Sequence, residues 1–184
     1  MTKEAKIRDV AMELMHTAAI CNKPQRFTYK GTCMSPTLVK GDHVLVTSVP
    51  PQDISFGDII VFRKDQHWVA HRVLRHDQLA GATLRIMTGA DGIVGQHRVC
   101  DVDSVLGKIV EIDRNGKVIK LDGERQRLGR LITSLAILES KVFQLAASIE
   151  QRYARRVGGK LVLNTRIGKL ISAPRMLLLR LVFR

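Results

Sequence analysis

The stretch GTCMSPTL (Gly31–Leu38), followed by VKGDHVLV (Val39–Val46), joins a turn-rich segment to an alternating apolar strand. Gly and Pro mark turns, whereas apolar and polar residues that alternate are typical of a half-buried strand. Cys33 lies at the centre of the turn. Core packing alone gives no reason for a polar, breaker-rich segment directly before a regular strand. The pattern therefore predicts a turn that presents Cys33 at the end of a rigid β scaffold.

Length and composition predict one domain, or one domain with an appendage, because the chain has 184 residues and is 45% hydrophobic. An aromatic content of 4% argues against a protein that stacks nucleic-acid bases. The net charge is +13, and 13 Lys and Arg against 3 acidic residues from Gly123 to Arg184 place +10 of it in the last third. That third is expected to meet an anionic partner: membrane lipid, nucleic acid or an acidic protein.

The three cysteines, Cys21, Cys33 and Cys100, have no CxxC spacing. This pattern argues against a disulfide framework and against a zinc site, and it fits a reducing, cytoplasmic compartment. No metal or other cofactor is expected. Residues 1–24 predict an amphipathic helix that covers one face of the core or, as an alternative, docks on a partner or a membrane. Charged residues interrupt it, so neither a signal peptide nor a membrane span is expected there.

Residues 25–123 predict a β-rich core. Short apolar or alternating runs separated by Gly-Asp and Asn-Gly turns are typical of a compact barrel or folded sheet. His97 is expected in a loop, and the Asn-Gly pair closes a predicted hairpin between the last two strands. The predicted strands are Phe27–Tyr29, His43–Val49, Ile59–Phe62, Trp68–Leu74, Ala82–Thr88, Val105–Ile112 and Lys117–Leu121.

Residues 124–184 predict a basic helical extension, so the fold class is α+β. Leucines spaced three and four apart from Gln126 indicate a long amphipathic helix that ends near 156–159. Glu139 and Lys141 within it argue against a transmembrane span. The run Ile167–Arg184 is apolar, basic and too short to span a bilayer. It is expected to lie on an anionic membrane surface, bind a partner or pack on the core.

A reactive thiol needs a base or a positive neighbour to form the thiolate, and the base needs an orienting carboxylate. The chain offers six histidines. His71 differs from the others because it lies mid-strand, where alternation places Val69, His71 and Val73 on one side and Ala70 and Arg72 on the other. The local pattern alone favours an ordinary sheet residue at that position.

Four segments in order resemble the conserved boxes of the signal peptidase I family. Gly31–Leu38 with the following Gly-Asp turn resembles the nucleophile box, and Gly57–Phe62 resembles the next one. The third, Ala70–Val73, resembles the general-base box of the archaeal and endoplasmic-reticulum type, which carries His where bacterial enzymes carry Lys. Thr88–Asp91 with the strand that begins at Val105 resembles the acidic box. The related self-cleaving repressor peptidases use Ser and Lys and fit less well.

The resemblance implies a β-fold protease in which Cys33 replaces the nucleophilic Ser and His71 is the base. Asp91 would be the orienting acid, with Asp101 or Asp103 as alternatives. The residues implied in the oxyanion hole or in substrate binding surround the nucleophile: Gly31, Thr32, Met34 and Pro36.

The sequence is compatible with two functions. The first is a signal-peptidase-like endopeptidase that cleaves a peptide or precursor protein, which adds as a strand at a sheet edge. The second is a non-catalytic peptide-binding or scaffold relative whose basic tail docks on a partner or a membrane surface. The localisation expected for both is cytoplasmic, with peripheral membrane contact through the C-terminal segment. No motif supports nucleic-acid binding.

Overall fold

The computed structural model describes residues 23–77, 84–93, 95, 97–157 and 165–183. They form eight strands, two short 3-10 turns (Pro51–Asp53 and Val102–Ser104) and two helices. The strands are β1 Gln25–Thr28, β2 His43–Thr47, β3 Ile59–Lys64, β4 His67–Asp77, β5 Arg85–Gly89, β6 His97–Asp101, β7 Val105–Arg114 and β8 Lys117–Lys120. The helices are α1 Gly123–Val157 and α2 Thr165–Val182.

The strands form one antiparallel sheet in the order β1-β2-β7-β3-β4-β5-β6. Strand β8 also pairs with β7, on the same side as β3 but further along β7. The long strand β7 is the centre of this arrangement because it pairs with β2, β3 and β8. The β7–β8 hairpin turns at Asn115 and Gly116, which have φ of 54° and 82°. Both angles are left-handed, as a two-residue Asn-Gly turn requires, and the predicted hairpin is confirmed.

Strand β3 is buried on both faces, as its continuous apolar run predicts. Ile59 and Val61 belong to a large hydrophobic cluster with Met34, Ala70 and Leu106, which we call the main core. Ile60 and Phe62 belong to a smaller cluster on the opposite face, together with Val73, Ile86 and Cys100, which we call the second core. The two faces of the neighbouring strand β4 therefore meet different surroundings.

Both helices complete the main core. Ile132 of α1, Leu179 of α2 and Phe183 directly after α2 are buried in it. A Cβ atom at Gly57, whose φ is +91°, would lie 2.8 Å from the backbone nitrogen of Arg130. Glycine at position 57 therefore permits both the turn before β3 and the close approach of α1.

The predicted α+β class is confirmed as a large antiparallel sheet with two helices. The expectation that His97 lies in a loop is wrong, because His97 begins β6, which pairs with β5. Of the C-terminal alternatives, core packing holds for Leu179 and Phe183. The predicted N-terminal helix and the residues Ala82–Thr83 of the predicted fifth strand lie outside the described residues.

Candidate functional site

The turn that carries Cys33 is fixed by hydrogen bonds at both ends. Main-chain bonds join Tyr29 N–H to the Asp42 carbonyl at 2.8 Å and Gly41 N–H to the Tyr29 carbonyl at 2.9 Å. Arg114 of β7 donates two hydrogen bonds to the Asp42 carboxylate, at 3.0 and 2.7 Å. The Gly92 N–H donates to the Cys33 carbonyl at 2.8 Å, which ties the turn to the loop after β5. The backbone around Cys33 is therefore held in place from several strands.

The Cys33 thiol is half-buried and has two polar neighbours. Its Sγ lies 3.4 Å from the Tyr29 hydroxyl and 4.0 Å from the main-chain oxygen of Ala70. The Tyr29 hydroxyl accepts a hydrogen bond from Met34 N–H at 3.2 Å, so its own proton can be donated to the sulfur. Burial and the bond with Cys33 raise the pKa of Tyr29, which keeps this proton in place at neutral pH.

Glycine at position 31 makes room for the Tyr29 ring. A Cβ atom there would lie 2.7 Å from the Tyr29 hydroxyl oxygen. Gly31 therefore permits the contact between Tyr29 and Cys33.

The other predicted oxyanion or substrate residues have mixed surroundings. Met34 is fully buried beneath the turn, and its N–H donates to the Tyr29 hydroxyl. Thr32 is exposed, and its carbonyl accepts from Ser35 N–H at 3.1 Å. The Pro36 carbonyl accepts a long hydrogen bond from Arg114 at 3.4 Å. Their predicted roles stay predictions.

His71 faces the second core. It is 2% exposed, and its ring meets the Phe62 ring edge-on with centroids 5.8 Å apart. Its Nδ1 lies 3.3 Å from the hydroxyl of Thr88, a β5 residue. Burial lowers the pKa of His71 to about 4, the positive charges of Arg98 and Lys64 add to this, and Asp91 opposes it. The ring is therefore neutral at pH 7.

The structure does not join Cys33 to His71. Cys33 packs on the main core together with Ala70, whereas His71 follows Ala70 and points to the opposite face, because side chains alternate along a strand. The thiol meets the main chain of Ala70 rather than the imidazole of the next residue. The predicted dyad is therefore not hydrogen-bonded in this arrangement.

Asp91 is the centre of a buried ionic network rather than a partner of His71. Arg72 donates to both carboxylate oxygens of Asp91, at 2.9 and 2.6 Å, and Thr37 donates to one of them at 2.5 Å. Arg175 of α2 donates to the Asp91 carbonyl at 2.6 Å and to Glu139 of α1 at 2.8 Å. The network joins the Cys33 turn, β4 and both helices.

The alternative acids also lie away from His71. Asp101 pairs with Arg85 at 3.2 Å on the surface, and Asp103 is exposed in the second 3-10 turn. Cys100 is buried in the second core, where burial raises the pKa of its thiol to about 11. A buried, protonated thiol is chemically inert, so Cys100 is an ordinary small core residue.

Strand β4 pairs with β3 along its first half and with β5 along its second half. Residues 67–72 pair with β3, but pairing with β5 begins at Arg72, opposite Gly89. Val73 N–H and carbonyl bind Asp58 and Gly57 on the β3 side. Main-chain groups alternate between the two sides of a strand, so those of Trp68 and Ala70 point to the side without a described partner strand. Cys33 Sγ lies at this half-paired edge.

Several site residues were not predicted. One sequence signal pointed to Tyr29: Gly31, which lies midway between Tyr29 and Cys33 and leaves room for an aromatic ring. Arg72 lies within the predicted base box but had no assigned role, and the contact of Thr88 with His71 depends on the β4–β5 register. Arg175 comes from 84 residues away, beyond any local pattern. No group of three or more His, Cys, Asp or Glu residues suited to a metal occurs in the described part of the chain.

Comparisons of the chain with protein-family models, with curated proteins and with solved structures find no match.

Proposed function

We propose that the protein is a signal-peptidase-like endopeptidase that cleaves an extended peptide through Cys33. The observation that carries the proposal is the position of the half-buried thiol, 4.0 Å from the Ala70 carbonyl at the half-paired edge of β4. A peptide added along this edge would pair with main-chain groups of Trp68 and Ala70 and pass beside the sulfur. The order of the four resembling segments supports the same reaction class.

The reaction has two steps. The thiolate sulfur of Cys33 attacks the scissile carbonyl carbon, the C–N bond breaks, and the amine leaves with a proton while a thioester forms. Water then attacks the thioester, and the carboxylic acid leaves as the thiol is restored. Each step needs a group that exchanges protons, and the neutral ring of His71 is the group that the resemblance assigns to this role.

Proton transfer to His71 requires a change at the site. The thiol and the imidazole meet different cores in the peptide-free protein, so the Cys33 side chain must leave its position beside Ala70. Catalytic hydrogen bonds often become short only when substrate is bound. The proposal therefore includes a shift of the Cys33 turn when a peptide occupies the β4 edge.

A second function, peptide binding without cleavage, is favoured by the separation of the predicted catalytic groups. Both carboxylate oxygens of Asp91 are used by Arg72 and Thr37, and His71 binds Thr88. A protein with this arrangement retains the open strand edge and lacks an assembled base. The two functions predict different outcomes in one assay.

The assay presents a library of unstructured peptides with small side chains at varied positions and detects cut products by mass spectrometry. The endopeptidase proposal expects products from the wild type and none from Cys33→Ala. It also expects a rate about 100- to 10,000-fold lower from His71→Asn, since this is the usual contribution of a general base. Cys100→Ala removes a thiol from the other core and serves as the matched control, which should keep activity.

Binding of the same peptides, measured by fluorescence anisotropy, separates the alternatives. Peptides that bind the wild type and Cys33→Ala equally, with no products from either, would show the non-catalytic function. Cleavage that persists in Cys33→Ala would overturn the role of the thiol.

A further inference from the structure

Helix α1 carries a stripe of exposed apolar side chains: Leu131, Leu138, Val142 and Leu145. They are 49%, 58%, 42% and 62% exposed. Steps of seven, four and three residues place them on one face of a helix. Thr133 and Ser140 are buried on the opposite side, and Ile132 and Glu139 are buried about a quarter turn from the stripe. This leucine stripe therefore points away from the protein core.

Helix α2 adds a smaller apolar surface. Leu177 and Leu181 are one turn apart and are 61% and 66% exposed, whereas Leu179 is fully buried. The apolar run at Met176–Leu179 is thus divided between the core and solvent. Large apolar side chains exposed in a row are typical of an interaction surface.

The charges around the leucine stripe indicate which kind of partner fits it. Arg127, Arg130 and Lys141 are exposed on α1, and the last third of the chain carries +10. A second copy of the chain would bring like charges together. A nucleic acid would use the charges but leave the leucines in water. An anionic lipid surface satisfies both, because its headgroups attract the basic side chains and its acyl region receives the apolar ones.

The packing of α1 favours a helix that lies in the interface over one that spans the bilayer. The segment Gly123–Ser148 is long enough to span a membrane and contains an 18-residue window with a mean hydropathy of 1.3. However, Gly129 packs against the turn at Gly57, and Glu139 forms a buried ion pair with Arg175. A face fixed to the β core cannot be surrounded by lipid.

We propose that the leucine stripe of α1 docks the protein on an anionic lipid surface. The stripe enters the boundary between headgroups and acyl chains, and Arg127, Arg130 and Lys141 contact the headgroups. This inference does not depend on peptidase activity. The sheet remains outside the lipid, so the β4 edge stays accessible to a peptide in water.

The test is cosedimentation of the full chain with phosphatidylcholine vesicles that contain or lack phosphatidylserine. Binding is expected with phosphatidylserine and much weaker without it. Changing Arg127, Arg130 and Lys141 together to Gln should weaken binding by about a hundredfold, since each basic residue near the surface contributes about fivefold. Leu138→Glu with Leu145→Glu should weaken it by about tenfold or more, through lost apolar burial and added repulsion.

A matched control separates the stripe from net charge. Val99→Glu with Val118→Glu changes two exposed apolar residues on β6 and β8, which are 54% and 50% exposed, by the same two charges. This variant should bind much more tightly than the stripe variant. Equal losses in both would overturn docking through the stripe, and so would the absence of binding by the wild type. A lipid-free dimer that the stripe variant abolishes, together with no vesicle binding, would assign the surface to a second copy.

Discussion

The two faces of β4 (His67–Asp77) differ in what they do with polar side chains. On the face toward the main core, Arg72 is tied to Asp91, and the thiol of Cys33 lies beside Ala70. On the opposite face, His71 lies among apolar residues with one polar contact, to Thr88. One face therefore holds charge through paired ions, whereas the other holds a titratable group in its neutral form.

The charged pair on one face of β4 serves stability, whereas the neutral histidine on the other face is the candidate for chemistry. The carboxylate of Asp91 neutralises the charge of the buried Arg72. It therefore already has a structural partner and is not free to orient a base. A neutral histidine needs no counter-ion, and burial supplies the neutrality. Each face can be perturbed alone, and the expected effects differ in size.

The largest effect is expected on the ionic face. Arg72→Met leaves the buried Asp91 carboxylate without its main counter-ion and should lower the free energy of unfolding by about 3–5 kcal/mol. Urea denaturation at neutral pH measures this change. The double variant Arg72→Met with Asp91→Leu should recover part of the loss, since no charge is then left unpaired.

Arg85→Met provides the matched control, because Arg85 pairs with Asp101 between exposed side chains on neighbouring strands. An exposed ion pair contributes about 1 kcal/mol or less. A loss as small for Arg72→Met as for Arg85→Met would contradict a structural role for the buried pair.

The next effect concerns pH on the histidine face. The pKa of His71 falls from 6.5 to about 4 on folding, so the unfolded chain binds more protons between these values. Stability contributed by the neutral ring is present above pH 6.5, falls as the pH drops through this window and is lost below about 4. The total is ~3 kcal/mol, at 1.36 kcal/mol per pH unit. Urea denaturation across this range should show a shallower pH dependence for His71→Asn than for the wild type.

His67→Asn changes an exposed histidine on the same strand and should keep the wild-type pH dependence. If His71→Asn and the wild type lose stability in parallel below pH 6.5, the imidazole is not held neutral by burial.

Most of the sheet could be predicted from sequence because its strands have a strong apolar pattern, as in Ile59–Phe62. Strand β6 was missed since only Cys100 among its residues is buried. An edge strand without alternation has no local signal, and its formation depends on pairing with β5.

The candidate site was predictable in residue types and order, but not in contacts. Alternation already placed His71 and Ala70 on opposite sides of β4. Which side the Cys33 turn covers is decided by distant residues, including Arg114, which reaches Asp42 from 72 positions away. The pairing of Asp91 with Arg72 likewise requires β4 and β5 to be adjacent. Local pattern carries no information on such pairings.

The smallest expected effect is on the reactivity of the Cys33 thiol, and it tests whether Tyr29 or His71 sets that reactivity. Tyr29→Phe removes the hydroxyl that lies 3.4 Å from Cys33 Sγ. Alkylation of Cys33 by iodoacetamide, followed by mass spectrometry of the labelled peptide, should become about tenfold slower, which corresponds to a hydrogen bond of ~1.5 kcal/mol to the charged thiolate. In the absence of peptide, His71→Asn should leave the rate unchanged, because the ring faces the second core. The reverse pattern, a slow rate in His71→Asn and a normal rate in Tyr29→Phe, would mean that the thiol and the imidazole already meet before a peptide binds. The turn would then need no shift for catalysis, and the separation of the two faces would not hold at Cys33.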